Sequence, residues 1–304
     1  MPSDLAPSTS AVMVLDRAKT HLPFSKGIMA TSILATGIDT GTAHDIARKI
    51  EGQLAARDAR TVNADELAQL SAAMIAAHAN QDYADRYLRW RRVKRSGRPF
   101  VIALSGAPGV GKSTLATRLA LRLGVDRVVA SDAIREVLRT VIPPTVLPEL
   151  HVSTFEDADP DEPPLASFQR QARVVSNACA AVAARLVTEG LNVIVDGVHV
   201  IPGSIRQELT RRAVHADVVE ILLTLEDEAT HRAQLERRLL KQPGRHGHRH
   251  VAQFANIRKI QAELLARAAS EGLDVHDVAK TATLTQHVVD AIVAAQASVS
   301  HAKR

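Results

Sequence analysis

Aromatic residues are scarce in this chain: only 3% of its 304 residues are Phe, Trp or Tyr. A core must therefore be assembled from Leu, Ile, Val and Ala, and the 46% apolar content is enough for a globular chain. The shortage argues against a single-stranded nucleic acid as partner, because base stacking requires aromatic platforms. Cysteine is nearly absent. Cys179 stands alone in an alanine-rich run, so neither an internal disulfide nor a cysteine zinc site can form, and a buried helical thiol is expected. No apolar run approaches the ~18 residues of a membrane helix, and Met1–Val14 carries no secretory leader pattern. A cytoplasmic chain with no membrane partner is expected. What is in surplus is positive charge: 38 Lys and Arg against 33 Asp and Glu leave a net +5, which points to an acidic partner.

The most informative stretch is 100–115. An apolar run from Phe100 leads into Gly106-Ala107-Pro108-Gly109-Val110-Gly111-Lys112-Ser113-Thr114, after which apolar residues recur at Leu115, Leu119, Leu121 and Leu123. Strand, glycine loop and helix make a phosphate-binding loop. Its glycines let backbone N–H groups point inward at phosphate oxygens, and the helix N-terminus adds its dipole. The expected ligands are ATP and Mg²⁺. Residues Gly106–Thr114 cradle the nucleotide, Lys112 reaches the β- and γ-phosphates, and the Ser113 hydroxyl faces the metal.

From Phe100 onward, strand and helix patterns alternate. Strands are expected at 100–104, 127–130, 192–195, 218–223 and 273–278, with helices at 113–123, 133–141, 167–189, 203–213, 228–240, 251–271 and 285–295. This predicts an α/β fold: a kinase-type parallel five-stranded sheet with flanking helices, over 96–297. Residues 11–95 read as a small, mainly helical domain, with helical stripes at Ile46, Ile50, Leu54 and at Leu67, Leu70, Met74. Residues 1–10 and 298–304 read as tails.

Candidate chemistry gathers at the expected carboxyl ends of the strands. Asp132 follows the second strand, with Arg135 three residues on. Asp132 is suited to position or deprotonate an acceptor hydroxyl and Arg135 to fork onto an anionic group; an N-cap aspartate with a surface ion pair is the plainer alternative. The run Val193-Ile194-Val195-Asp196 has the form of a Walker-B strand, in which Asp196 orients Mg²⁺. Whether Asp132 or Asp196 acts as base stays open at this level. His199 is a candidate acceptor contact, with a structural histidine as the alternative, and His151 and Ser153 are candidates to face the acceptor. A basic stretch around Pro243-Gly244 lies between two helices, about 231–256, and reads as a lid that brings cations over the transferring phosphoryl group; Arg238 and Arg245 are its candidate catalytic arginines. A metal site at the histidines of 245–250 is the weaker alternative, since no carboxylate sits among them.

Two resemblances add to this. His21-Leu22-Pro23-Phe24-Ser25-Lys26-Gly27-Ile28, followed by helices and Tyr87-Leu88-Arg89-Trp90-Arg91-Arg92-Val93, resembles an ATP-cone, a small nucleotide-binding module; a packing or dimerisation domain is the alternative, so a homo-oligomer is compatible. The chain as a whole resembles the 2-phosphoglycerate kinase family. The likeness rests on the loop 106–114, on Ser131-Asp132-Ala133-Ile134-Arg135-Glu136-Val137, on 147–154, on Asp196-Gly197-Val198-His199-Val200-Ile201-Pro202-Gly203, and on Asn256-Ile257-Arg258-Lys259-Ile260-Gln261. It implies ATP-dependent phosphorylation of 2-phosphoglycerate, a small anionic acceptor with a carboxylate, a phosphate and a free hydroxyl, rather than of nucleic acid. Rival readings are a kinase for a polynucleotide 5′-hydroxyl or a sugar, and an ATP-sensing regulatory NTPase.

Overall fold

The computed structural model describes residues 12–15, 19–57, 60–156, 161–241, 247–281 and 283–301. The expected tail 1–10 lies outside these residues, as does the centre of the expected lid, 242–246, which includes Arg245. The chain forms two compact units, 1–96 and 97–304. Among the described residues no helix is long and apolar enough to cross a membrane.

In the first unit, strands β1 (Met13–Leu15), β2 (His21–Pro23) and β3 (Thr61–Asn63) accompany helices α1 (Lys26–Leu34), α2 (Thr40–Ala55), α3 (Ala64–His78) and α4 (Gln81–Ser96). The small sheet, ordered β2-β1-β3, is an addition to the expected helical pattern. Its strands are three residues long, too short to show a period of two. The helices begin on side-chain caps: Ser25 accepts from the Ile28 N–H, Asp39 from Thr42, and Asn63 from Asp65 and Glu66. Ile33, Ile46, Ile50, Leu54 and Ile75 close the core with Tyr87.

The second unit runs β4 (Phe100–Gly106), α5 (Lys112–Leu123), β5 (Arg127–Ala130), α6 (Ser131–Val141), a 3₁₀ turn (Pro148–His151), α7 (Ala166–Thr188), β6 (Val193–Asp196), α8 (Ser204–Arg211), β7 (Asp217–Thr224), α9 (Glu228–Lys241), α10 (Gly247–Ala252), α11 (Phe254–Glu271), β8 (Asp274–Asp277) and α12 (Leu284–His301). The sheet is parallel throughout, in the order β5-β6-β4-β7-β8. All seven residues of β4 and all four of β6 are buried, as central strands covered on both faces must be. Val101, Ala103, Val193 and Val195 pack against Val175, Cys179 and Ala183 of α7. Burial pushes the Cys179 thiol up to about 12, so it serves as an inert apolar group there.

The largest differences from the expected boundaries lie toward the C-terminus. One helix was expected over 251–271; the chain breaks at Gln253 into α10 and α11. Helix α12 continues past 295 to His301.

Candidate active site

The register that pairs Leu104 with Asp196 sets the ends of β4 and β6 side by side, where the chain winds away in opposite directions. In open α/β sheets this is where ligands bind. The loop Gly106–Thr114 leaves β4 at this edge. Gly109 takes φ +89°, and a Cβ there would stand 2.5 Å from Cδ2 of Leu235. The loop thus runs tight against α9. His231 of that helix is fully buried and donates from Nε2 to the Pro108 carbonyl at 2.8 Å. Arg258 lies 3.4 Å from the other ring nitrogen and donates to the Leu225 and Glu226 carbonyls, and Gln261 donates to Leu225 as well. The segment 256–261 therefore braces the β7–α9 turn and, through His231, the phosphate loop. Sequence reasoning singled out this segment by likeness and missed its role, and it missed His231 altogether.

Lys112 is buried, and its Nζ donates to the Ala107 carbonyl at 2.8 Å, across the mouth of the loop. Burial lowers its pKa to about 8, against the pull of Asp132 and Asp196. Ser113 donates to Asp196 Oδ2 at 2.8 Å. Asp196 is 3% exposed, and burial raises its carboxyl above the usual range while the Ser113 bond and Lys112 oppose the shift.

Facing this group is α6. The helix starts at Ser131 and its cap is Ala130, so Asp132 lies in the first turn and is not the N-cap. Its side chain is 82% exposed and open to the cleft. Arg135 and Arg139, one and two turns along, line the same cleft. Arg135 donates to the Val152 carbonyl, Arg139 pairs with Glu136, and each keeps a buried Nε with no partner among the described residues. Burial holds the Arg135 pKa below its ordinary value.

The cleft between these walls has a volume of about 650 Å³. Arg238 and Leu239 of α9 line it from above, together with Thr154, Phe155 and His250. His250 stacks on Phe155 with ring centroids 4.8 Å apart. A second cavity, about 380 Å³, opens on the other side of the loop between Gly111, Thr114, Arg118, Gln234, Val278 and Thr281.

Of the residues singled out in the sequence, Lys112, Ser113, Asp196, Asp132, Arg135 and Arg238 converge on one cleft. His199 and His151 stand differently. His199 is fully buried behind Ser131, with Nδ1 2.9 Å from Ser131 Oγ and Nε2 2.8 Å from Gln171 Oε1. Burial lowers its pKa to about 4. His151 donates from Nε2 to the Ile142 carbonyl at 2.9 Å, which ties down the loop after α6. Among the described residues no group of three His, Cys, Asp or Glu gathers as a metal cage, which includes the described part of the histidine-rich stretch.

Gly197 joins the two walls. Its φ is +149°, and a Cβ there would fall 1.8 Å from Ser131 Oγ. Gly197→Ala is therefore expected to cost ~2 kcal/mol or more, with loss of cleft geometry, read as a lower urea midpoint at unchanged slope.

Both units are similar to known families. The AAA domain family matches residues 101–267, and the ATP cone domain family matches 12–96. A 2-phosphoglycerate kinase of Pyrococcus horikoshii is 40% identical over 196 residues, 62% of this chain and 65% of that protein. One of Thermococcus kodakarensis is 33% identical, over 84% of this chain and 88% of the relative. One of Methanopyrus kandleri is 32% identical, over 85% and 78%. With its phosphate loop, its Ser113–Asp196 pair and its ATP cone region all inside these matches, the chain belongs to the 2-phosphoglycerate kinase family.

Proposed function

We propose that this protein transfers the γ-phosphoryl group of ATP to the free hydroxyl of 2-phosphoglycerate, giving 2,3-bisphosphoglycerate and ADP. One observation carries the reading: the exposed carboxylate of Asp132 stands in the same cleft as the phosphate loop, with Arg135, Arg139 and Arg238 around it. Glu136 is paired with Arg139 and Asp196 is bonded to Ser113, so an exposed carboxylate at Asp132 among these arginines suits an acceptor that brings one reacting hydroxyl and several negative charges.

ATP enters with its phosphates in the loop 106–114. The cavity beside Thr114, Gln234 and Val278 takes the nucleoside end. Lys112 leaves the Ala107 carbonyl and neutralises the β- and γ-phosphates. The hard oxygens of Ser113 and Asp196 fit Mg²⁺, which binds through one or two protein oxygens together with phosphates and waters. When bound, Mg²⁺ supplies charge neutralisation at the β- and γ-phosphates. Arg135 and Arg139, which line the cleft, hold the acceptor's carboxylate and phosphate. Asp132 accepts the proton of the acceptor hydroxyl as its oxygen bonds to the γ-phosphorus and the bond to the β-phosphate oxygen breaks. Arg238 faces the transferring group from α9, and α9 with α10 shields it from water. Arg245 is the further lid candidate. ATP use and a buried free thiol suit the cytoplasm.

Removing an arginine tests the acceptor side. Arg139→Ala is expected to raise the KM for the acceptor ~10-fold or more, the scale of a lost charge-assisted hydrogen bond, and to leave the KM for ATP unchanged. An effect on ATP alone would contradict the assignment.

The lysine carries a pH signature. It must be charged to act, and its pKa is lowered to about 8. The kcat/KM for ATP, which reports the free enzyme, is therefore expected to fall as pH rises through about 8. The limb in kcat should lie higher, because bound phosphates favour the charged form. A kcat/KM profile flat up to about pH 10 would show an ordinary lysine instead.

A further inference from the structure

His199 does not itself line the cleft, although Thr154 Oγ1, 3.3 Å from its Nε2, does, and its hydrogen bonds fix more than its own place. Gln171 of α7 is 1% exposed. Its amide nitrogen faces the backbone carbonyls of Glu149 and Val152, the second at 3.3 Å. Carbonyls only accept, so the amide orientation is determined and Oε1 is the atom turned to the ring. Oε1 in turn only accepts, and it lies 2.8 Å from Nε2. Nε2 must therefore carry a proton.

In a neutral ring Nδ1 is then bare. It accepts the hydroxyl proton of Ser131 at 2.9 Å. Asp132 Oδ1 lies 3.7 Å from the same nitrogen, at the distance of an ion pair that a protonated ring would form. The charged groups around the ring are Asp132, which favours its protonation, and Arg135 and Lys112, which oppose it; complete burial decides in favour of the neutral ring.

We propose that Gln171 and His199 are positioning residues of the phosphoryl transfer: Gln171 locks His199 as the Nε2–H tautomer, whose bare Nδ1 fixes Ser131 and offers no proton to Asp132. The carboxylate is thereby held at the start of α6 without an imidazolium partner, ready for the acceptor hydroxyl. The proposal rests on the reading of Asp132 as proton acceptor.

Histidine-¹⁵N NMR of the full chain tests it, with the His199 signal assigned by its loss in His199→Gln. The wild type should show the neutral Nε2–H form, with no titration between about pH 5 and pH 8. Gln171→Glu places a negative charge at Nε2 and should draw the ring into the imidazolium form, whose Nδ1–H engages Asp132. At neutral pH kcat should drop ~10-fold or more, the KM for ATP should hold, and activity should recover as pH rises through the raised histidine pKa. Gln171→Leu, which keeps an apolar body in the buried site, should let the Nδ1–H tautomer appear and lower kcat without recovery at high pH. An Nδ1–H or charged ring in the wild type would overturn the proposal, and so would a changed tautomer with unchanged kcat in either variant. Absence of transfer to any glycerate-type acceptor by the wild type would overturn the reading of Asp132 and the positioning role with it, while the histidine spectrum would still decide whether the ring is locked.

Discussion

Replacing Lys112 with alanine is expected to lower kcat by ~10²-fold or more, the scale for losing one group that stabilises transition-state charge in a closed site. Burial makes the effect large. The ammonium sits where water does not screen it, and its neighbours Asp132 and Asp196 are part of the same cleft. The protein should stay folded, because among the described residues the hydrogen bond lost in the free state is to the Ala107 carbonyl at the rim of the loop. Single-turnover rates with saturating ATP, with thermal unfolding as control, check this. More than about a tenth of the wild-type rate would remove Lys112 from the chemistry.

Asp132→Asn should be comparable, with kcat down ~10²–10⁴-fold, the usual worth of a positioned general base. The amide keeps the shape of the side chain and the first turn of α6, so the KM for ATP should hold. Asp196→Asn should behave differently. It weakens the oxygen pair with Ser113, and part of its loss should be recovered at high Mg²⁺ concentration. The contrast answers a question left open by the sequence, where both aspartates follow strands. The structure separates them by exposure: Asp196 at 3% is bonded to the serine of the loop, and Asp132, with an 82% exposed side chain, faces the open cleft. If high Mg²⁺ rescued Asp132→Asn and not Asp196→Asn, the two roles would have to be exchanged.

How far the sequence could be read depended on the range of the interactions. β4 and β6 were legible because central parallel strands are buried on both faces and read as apolar runs. The phosphate loop was legible because its glycine spacing is a local backbone requirement. The three-residue strands β1, β2 and β3 were not, and the break at Gln253 carries no glycine or proline to announce it. In the site, Asp132 and Arg135 could be paired by helical spacing alone. Arg139 continues the same spacing and could have been found by extending it one turn. The surroundings of His199 could not. Ser131 and Gln171 are 68 and 28 residues away in the chain, and only the packing of α7 against the start of α6 brings them to the ring. The same holds for His231, which reaches the Pro108 carbonyl across 123 residues.

The proposed function turns on which hydroxyl receives the phosphate. It is tested most directly by offering 2-phosphoglycerate, 3-phosphoglycerate, glycerate and a 5′-hydroxyl oligonucleotide in parallel, with γ-labelled ATP and Mg²⁺, and identifying every labelled product. The predicted result is label in 2,3-bisphosphoglycerate with 2-phosphoglycerate as acceptor and little in the other reactions. Label confined to free phosphate in all four reactions, or carried to the oligonucleotide or to 3-phosphoglycerate alone, would contradict it.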